Sequence, residues 1–252
     1  MKKFAALALS AVIACISLVG CSFSNKNTLT VGIAMSYPPF EYYEEDESTF
    51  TGIDIDLSTE IAKRLGMEVK YIATPFNEIF DGLSNKKYDI IVSACTITEA
   101  RKQEYDFSIP YIQNYPCIVT LKASENKPTE PSKLEGMSIC YQKGTTSEAF
   151  ITDYISTNNL TCDTYGYQKV ISCFEELSLA RVNAIFVDST VAEVYCNTED
   201  SVFEITWQQQ DNVEEFGVVI PKDNPELKEK INKVLEEMIN DGSLQAIIDK
   251  YY

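Results

Sequence analysis

Leu29-Thr30-Val31-Gly32-Ile33-Ala34-Met35 alternates apolar residues with small or polar ones, which is the two-residue period of a strand, and Tyr37-Pro38-Pro39-Phe40 then stops it. Downstream, Leu57, Ile61, Ala62 and Leu65 mark one face of a helix ending at Gly66, and Val69 to Ile72 reads as the next strand. Phe76, Ile79, Phe80 and Leu83 give a second, short helical face. Asp89-Ile90-Ile91-Val92-Ser93 is a continuous apolar run of the kind found in buried parallel strands. Strand, helix, strand, helix, strand is a doubly wound α/β pattern. The acidic run Glu41 to Glu47 is predicted to be an exposed turn.

Around Lys122 to Glu135 the composition shifts to Lys, Ser, Glu and Pro, and beyond it the pattern restarts. Met137 to Tyr141, Thr161 to Tyr165 and Asn183 to Val187 read as strands. They are separated by helices carrying Phe150, Ile151 and Tyr154, then Val170, Ile171, Phe174 and Leu177; a third helix carries Val191, Val194 and Tyr195. After one more strand, Phe216 to Ile220, Asn224-Pro225 supplies an N-cap and a proline at the first helical position. Leu227, Ile231, Val234, Leu235 and Met238 line that helix. A last helix runs through Leu244, Ile247, Ile248 and Tyr251. This tail is too small for a domain of its own and is expected to dock on the first unit.

Composition excludes several classes of chemistry. Of 252 residues, 45% are hydrophobic and 23% charged, which describes a globular chain with a sizeable core. A net charge of −17 argues against nucleic acid, which selects basic surfaces. The sequence contains no histidine, so histidine-based nucleophile pairs and histidine metal sites are impossible. Six cysteines follow Cys21 (Cys95, Cys117, Cys140, Cys162, Cys173 and Cys196), and none forms a Cys-x-x-Cys pair. An even count in an exported chain leaves disulfides and buried free thiols both open. No cofactor or metal site is expected.

The N-terminus indicates the compartment. Lys2 and Lys3 precede an apolar run, Phe4 to Val19, too short and wrongly flanked for a membrane span, so residues 1–20 read as a secretory signal peptide. The run ends Leu18-Val19-Gly20-Cys21, which resembles the lipobox of bacterial lipoproteins. That resemblance makes Cys21 the lipidated N-terminus of the mature chain and residues 21–27 a polar tether. Two or three acyl chains would hold it to a bilayer far better than one.

Several further strings occur in a defined order. They are Gly52-Ile53-Asp54-Ile55-Asp56-Leu57, Lys87-Tyr88-Asp89-Ile90-Ile91-Val92, Thr96-Ile97-Thr98-Glu99-Ala100-Arg101, Asp106-Phe107-Ser108, Gln142-Lys143-Gly144-Thr145-Thr146-Ser147, Phe186-Val187-Asp188 and Asp241-Gly242-Ser243-Leu244. With Val31-Gly32-Ile33 and Tyr37-Pro38-Pro39-Phe40, they make the mature chain resemble the polar amino-acid family of solute-binding proteins that serve ABC importers. The resemblance implies a two-lobed, type II periplasmic-binding-protein-like α/β fold, with two lobes joined by two crossing strands and a ligand in the cleft. Lobe 1 is then expected at 28–117 plus 218–252 and lobe 2 at 118–217. It also implies a free L-amino acid as ligand, an ABC-transporter permease as partner, and a monomer held to the membrane by its lipid.

A free amino acid carries a carboxylate and an ammonium that are costly to dehydrate, so a closed pocket must hold a partner for each. Arg101 is the expected carboxylate partner, because its guanidinium makes two parallel charge-assisted hydrogen bonds where lysine cannot. By resemblance, the backbone N–H groups of Thr96 and Thr146 complete the carboxylate's partners. Gly144 turns the chain ahead of a helix N-terminus that favours an anion. Asp188, with the Ser93 carbonyl and the Thr96 hydroxyl, is expected to hold the ammonium. Tyr37 and Phe76 occupy positions that sandwich the ligand's side chain, and family members often carry small or polar residues where Ala94 and Cys95 stand. Members that bind lysine or arginine often carry an acid where this chain has Ala34; Glu41 or Glu78 could replace it. The rival readings are an exported dehydratase-like enzyme on the same fold, which lacks an identifiable general acid here, and an amino-acid sensor domain.

Overall fold

The computed structural model describes residues 27–44 and 48–252; the signal segment and the lipidation expected at Cys21 lie outside them. The chain opens with β1 (Thr28–Ile33), a short hairpin of β2 (Tyr42–Tyr43) and β3 (Phe50–Thr51), α1 (Ile53–Arg64), β4 (Glu68–Ala73), α2 (Phe76–Ser84), β5 (Ile90–Ile91), α3 (Glu99–Glu104) and β6 (Tyr105–Phe107). It continues through β7 (Ile112–Asn114), β8 (Pro116–Leu121), β9 (Ser138–Gln142), α4 (Thr146–Thr157), β10 (Asp163–Tyr167), α5 (Val170–Ser178), β11 (Ala184–Asp188), α6 (Ser189–Cys196) and β12 (Phe203–Gln208). It ends with β13 (Glu214–Phe216), β14 (Val219–Pro221), α7 (Pro225–Asn240) and α8 (Ser243–Asp249).

Two five-stranded sheets result. The first runs β4-β1-β5-β14-β6, with β1, β4 and β5 parallel and β14 antiparallel to both of its neighbours. The second runs β10-β9-β11-β8-β12, with β9, β10 and β11 parallel and β8 antiparallel to β11 and β12. Between the sheets, β7 and β13 pair with each other, Asn114 opposite Glu214 and Ile112 opposite Phe216. The chain thus crosses outward on β7 and returns on β13, two strands side by side. Cys117 pairs with Val187 inside the second sheet, and the Lys122–Glu135 segment connects two strands of that same sheet. The run read as one strand, Phe216 to Ile220, is divided at Gly217: Phe216 belongs to the crossing pair, and Val219 joins the first sheet.

Local sequence explains these placements. Along α1, Ile53, Leu57, Ile61 and Ala62 are buried, a stripe at helical spacing, while Lys63 faces outward near the helix C-terminus. The central strand β5, and β11 as far as Val187, are apolar because helices cover both faces. Gly32 permits close packing, since a Cβ there would lie 2.4 Å from the Tyr88 ring. Asn224 caps α7 by accepting the Leu227 N–H at 3.2 Å. The C-terminal helices return to the first unit: Arg64 bonds Asp241 at 2.8 Å and Ser243 at 2.9 Å, and Tyr251 donates to Asp56 at 2.8 Å.

The six cysteines after Cys21 are all free thiols. Cys95, Cys117, Cys140 and Cys173 are buried, so they act as small apolar packing residues. Among the described residues no helix is long and apolar enough to cross a membrane, and no acid or thiol cluster could hold a metal.

Candidate functional site

The cleft between the two sheets is lined by Tyr37, Phe76, Ala94, Thr96 and Arg101 from the first unit and by Gln142, Thr145, Thr146 and Asp188 from the second. The space enclosed is about 10 Å³, room for roughly one water, so groups from the two sides meet directly.

Arg101 lies on the short helix α3, whose N-cap Thr98 accepts the Arg101 N–H at 3.1 Å. Its guanidinium rests over the Phe80 ring at 4.7 Å and near Phe76 at 5.8 Å. Nη1 donates to the Thr96 carbonyl at 2.8 Å, and Nη2 reaches across the cleft to the Gly144 carbonyl at 3.2 Å. Five N–H donors in a fixed fork leave several for a ligand. Burial pulls this guanidinium's pKa down, opposed by the nearby negative charges.

Opposite it, Asp188 ends β11 and is 4% exposed. Tyr37 donates its hydroxyl to Oδ2, and Asn114 donates Nδ2 to Oδ1 at 2.9 Å. Burial first and the Glu214 carboxylate second raise the Asp188 pKa to about 7, against the hydrogen bonds from Tyr37 and Asn114 and the Arg101 charge.

Glu214 was not anticipated from the sequence. Its Oε2 accepts from the hydroxyls of Thr146 at 3.1 Å and Thr96 at 3.2 Å and from Asn114 Nδ2 at 3.5 Å, and its pKa is raised chiefly by burial. Asn114 is equally central: its Oδ1 accepts from the Thr190 N–H at 3.3 Å and hydroxyl at 3.1 Å at the start of α6. Both stand on the crossing strands. Nothing in the sequence marks them out from the polar neighbours Gln113 and Glu215, and the pairing that joins them links positions a hundred residues apart.

The other expected residues fall as follows. Thr96 forms an isolated antiparallel bridge with Phe216, made by the Ile97 and Gly217 N–H groups. Thr145 caps α4, accepting the Glu148 N–H at 3.1 Å, while Glu148 accepts the Gly144 N–H at 2.6 Å. Gly144 itself has φ +82°, and a Cβ there would lie 2.7 Å from Asn77 Cα on the opposite side of the cleft. Gly144→Ala is therefore expected to hold the two sides apart and lower ligand affinity about tenfold, measured by calorimetry. Unchanged affinity would mean that this approach is not needed for binding.

Ser93 is not among the cavity-lining residues. Its hydroxyl accepts from the Ala34 N–H at 3.0 Å and donates to Glu41 Oε1 at 2.6 Å. Glu41, expected on an exposed turn, is 1% exposed. It turns inward beside Asp54, whose Oδ2 accepts the Ala94 N–H at 2.6 Å from a left-handed backbone of φ 44°. Burial raises both acids, Asp54 to about 7, and the two like charges cannot both ionise in a dry core. Because the unfolded acids titrate near ~4, the folded form binds more protons between about pH 4 and 7, and stability falls as pH rises through that window. Asp188 and Glu214 act in the same direction. The thermal midpoint is expected to be lower at pH 8 than at pH 5, with a smaller difference in Glu41→Gln; an equal difference in the variant would contradict the shared proton.

Comparison with known proteins bears on these observations. The family described as bacterial extracellular solute-binding proteins, family 3, matches residues 29–252. The L-cystine-binding protein TcyJ of Escherichia coli K12 is 28% identical over 227 residues, covering 90% of this chain and 83% of that protein. The ABC transporter arginine-binding protein 1 of the same organism is 27% identical over 255 residues, covering 100% of this chain and 99% of that one. Among solved structures, an ancestral arginine-binding protein bound to arginine superimposes with a TM-score of 0.83 at 33% identity, covering 90% of this chain and 98% of that one. The relatives named here are binding proteins. With a family match across both sheets and the cleft between them, this chain belongs to the bacterial extracellular solute-binding proteins, family 3.

Proposed function

We propose that this protein captures a free L-amino acid by closing its two lobes about strands β7 and β13, and that it delivers the ligand to the permease of an ABC importer. The observation that carries this reading is the convergence of Arg101 and Asp188, from opposite sides, on one buried cleft. An amino acid's carboxylate would take the guanidinium and its ammonium the aspartate, with Thr96 and Thr146 on the flanks. Both ligand charges would then bridge the lobes, which is the differential contact that closure requires. Tyr37 and Phe76 would hold the side chain between them. The cystine- and arginine-binding names of the relatives support an amino-acid ligand. Attachment to the membrane by acyl chains on Cys21, with the protein a monomer outside the cytoplasm, completes the proposal.

Calorimetry of the mature domain against the common L-amino acids tests it. At least one is expected to bind with micromolar or tighter affinity, about −8 kcal/mol. Binding of none of them, or turnover of a ring carboxylate in place of stable binding, would reject the reading. Cys21→Ser is expected to release the protein from the membrane fraction into the soluble one; continued sedimentation with membranes would reject the anchor.

A further inference from the structure

Gln142, at the end of β9, has only one end of its amide satisfied. Nε2 donates to the Gln168 carbonyl at 3.2 Å, while Oε1 is buried without a hydrogen-bond partner. The amide orientation follows from chemistry: flipped, it would set its oxygen against another carbonyl oxygen. The side chain is 5% exposed and lines the same cleft as Arg101 and Asp188. A buried carbonyl lacking a donor is costly and rare in native proteins.

The location of this carbonyl gives it a role. Gln168, which holds the amide, lines a neighbouring cavity of about 190 Å³ together with Ala34, Met35, Thr74, Phe76 and Lys169. Phe76 lines both spaces. Through Phe76 and the Gln168 bond, Gln142 stands next to this second cavity, where the side chain of a ligand gripped by its α-groups at Arg101 and Asp188 would have room to extend.

We infer that Gln142 selects the ligand's side chain, its carbonyl accepting a hydrogen bond from an N–H or O–H donor on a side chain of no net charge. The inference rests on the amino-acid-binding reading and deepens it. An apolar side chain would leave Oε1 unpaired. A carboxylate would set a second acceptor against it, in a cleft that already holds Asp188 and Glu214. A full cation has no carboxylate to meet in the outer cavity, where Ala34 stands and Lys169 is the charged lining residue. Glu41 is turned into the core and bonded to Ser93, and Glu78 is exposed on α2 and lines neither space. A neutral amide, a hydroxyl, or the second amino-acid group of a disulfide-linked pair, neutral overall, meets the requirement.

The test is calorimetry with L-glutamine, L-asparagine, L-threonine and L-cystine against L-methionine, L-glutamate and L-lysine. In the wild-type protein at least one of the first set is expected to bind tenfold or more tighter than every member of the second. In Gln142→Leu that advantage over methionine is expected to shrink to threefold or less, with the domain still folded by thermal unfolding. If that variant does not fold, Gln142→Glu keeps an acceptor but adds a charge, and preference is expected to move toward lysine. A wild-type preference for methionine, glutamate or lysine, or an unchanged preference in a folded variant, overturns the assignment. Absence of binding to any amino acid overturns the amino-acid reading as well, and is thereby distinguishable from failure of the side-chain assignment alone.

Discussion

Arg101→Ala is expected to weaken amino-acid binding by about 100- to 1,000-fold, because a buried carboxylate would lose its only cationic partner and keep its desolvation cost. The free protein loses less. The guanidinium's contacts there are two carbonyls and the faces of Phe76 and Phe80, so the thermal midpoint is expected to stay within about 3 °C of wild type. Arg101→Lys separates charge from geometry. Lysine restores the positive charge but not the two-pronged fork, and is expected to recover only part of the affinity. Calorimetry on the three proteins decides the matter, and undiminished affinity in the alanine variant would remove Arg101 from the site.

The second large effect is expected at Asp188. Its pKa in the closed cleft is about 7, raised first by burial and then by Glu214, with Tyr37, Asn114 and Arg101 pulling the other way. An incoming ammonium adds a positive charge beside it and draws the pKa down again. Binding near neutral pH is therefore expected to release a proton from Asp188, and affinity is expected to rise with pH through about 7. Asp188→Asn keeps the shape and the Tyr37 contact while removing the charge. Affinity is expected to fall about 100-fold and most of its pH dependence in that range to disappear. Calorimetry in buffers of differing ionisation enthalpy reads the proton directly, and an unchanged proton count in the variant would assign it to another group.

How much of this was legible in the sequence depended on the length of the element. Helices such as α1 and α7 and the alternating strand β1 carry enough periodic residues to declare themselves, and the doubly wound order followed from them. The strands β6, β7 and β13 have three residues each, too few for any period, and β8 begins at a proline. They exist because distant partners pair with them. β12 is partly buried at every position, so its two faces show no alternation in burial.

The same reason divides the site. Arg101, Asp188, Thr96 and Thr146 were found through the order of several local strings, and the structure brings them to one cleft. Asn114 beside Gln113 and Glu214 beside Glu215 do not stand out from their polar neighbours, and Gln142, though it opens the Gln142–Ser147 string, carries no local sign that it faces the cleft. Glu41 departs from the expected exposed turn for a different cause. It sits at the head of an acidic run, and only the fold turns this one acid inward to Ser93 while Tyr43 and Glu44 remain exposed.

Asn114 and Glu214 contact the site from the two connecting ribbons themselves, facing each other across the pair. Reprogramming the protein as a biosensor would therefore be hazardous at these two places, since any new chemistry there alters the flexure as well as the choice of analyte. Gln142, Phe76 and Ala34 lie on or beside elements of the separate lobes, so exchanging them is expected to change what is detected and to leave the mechanical response intact.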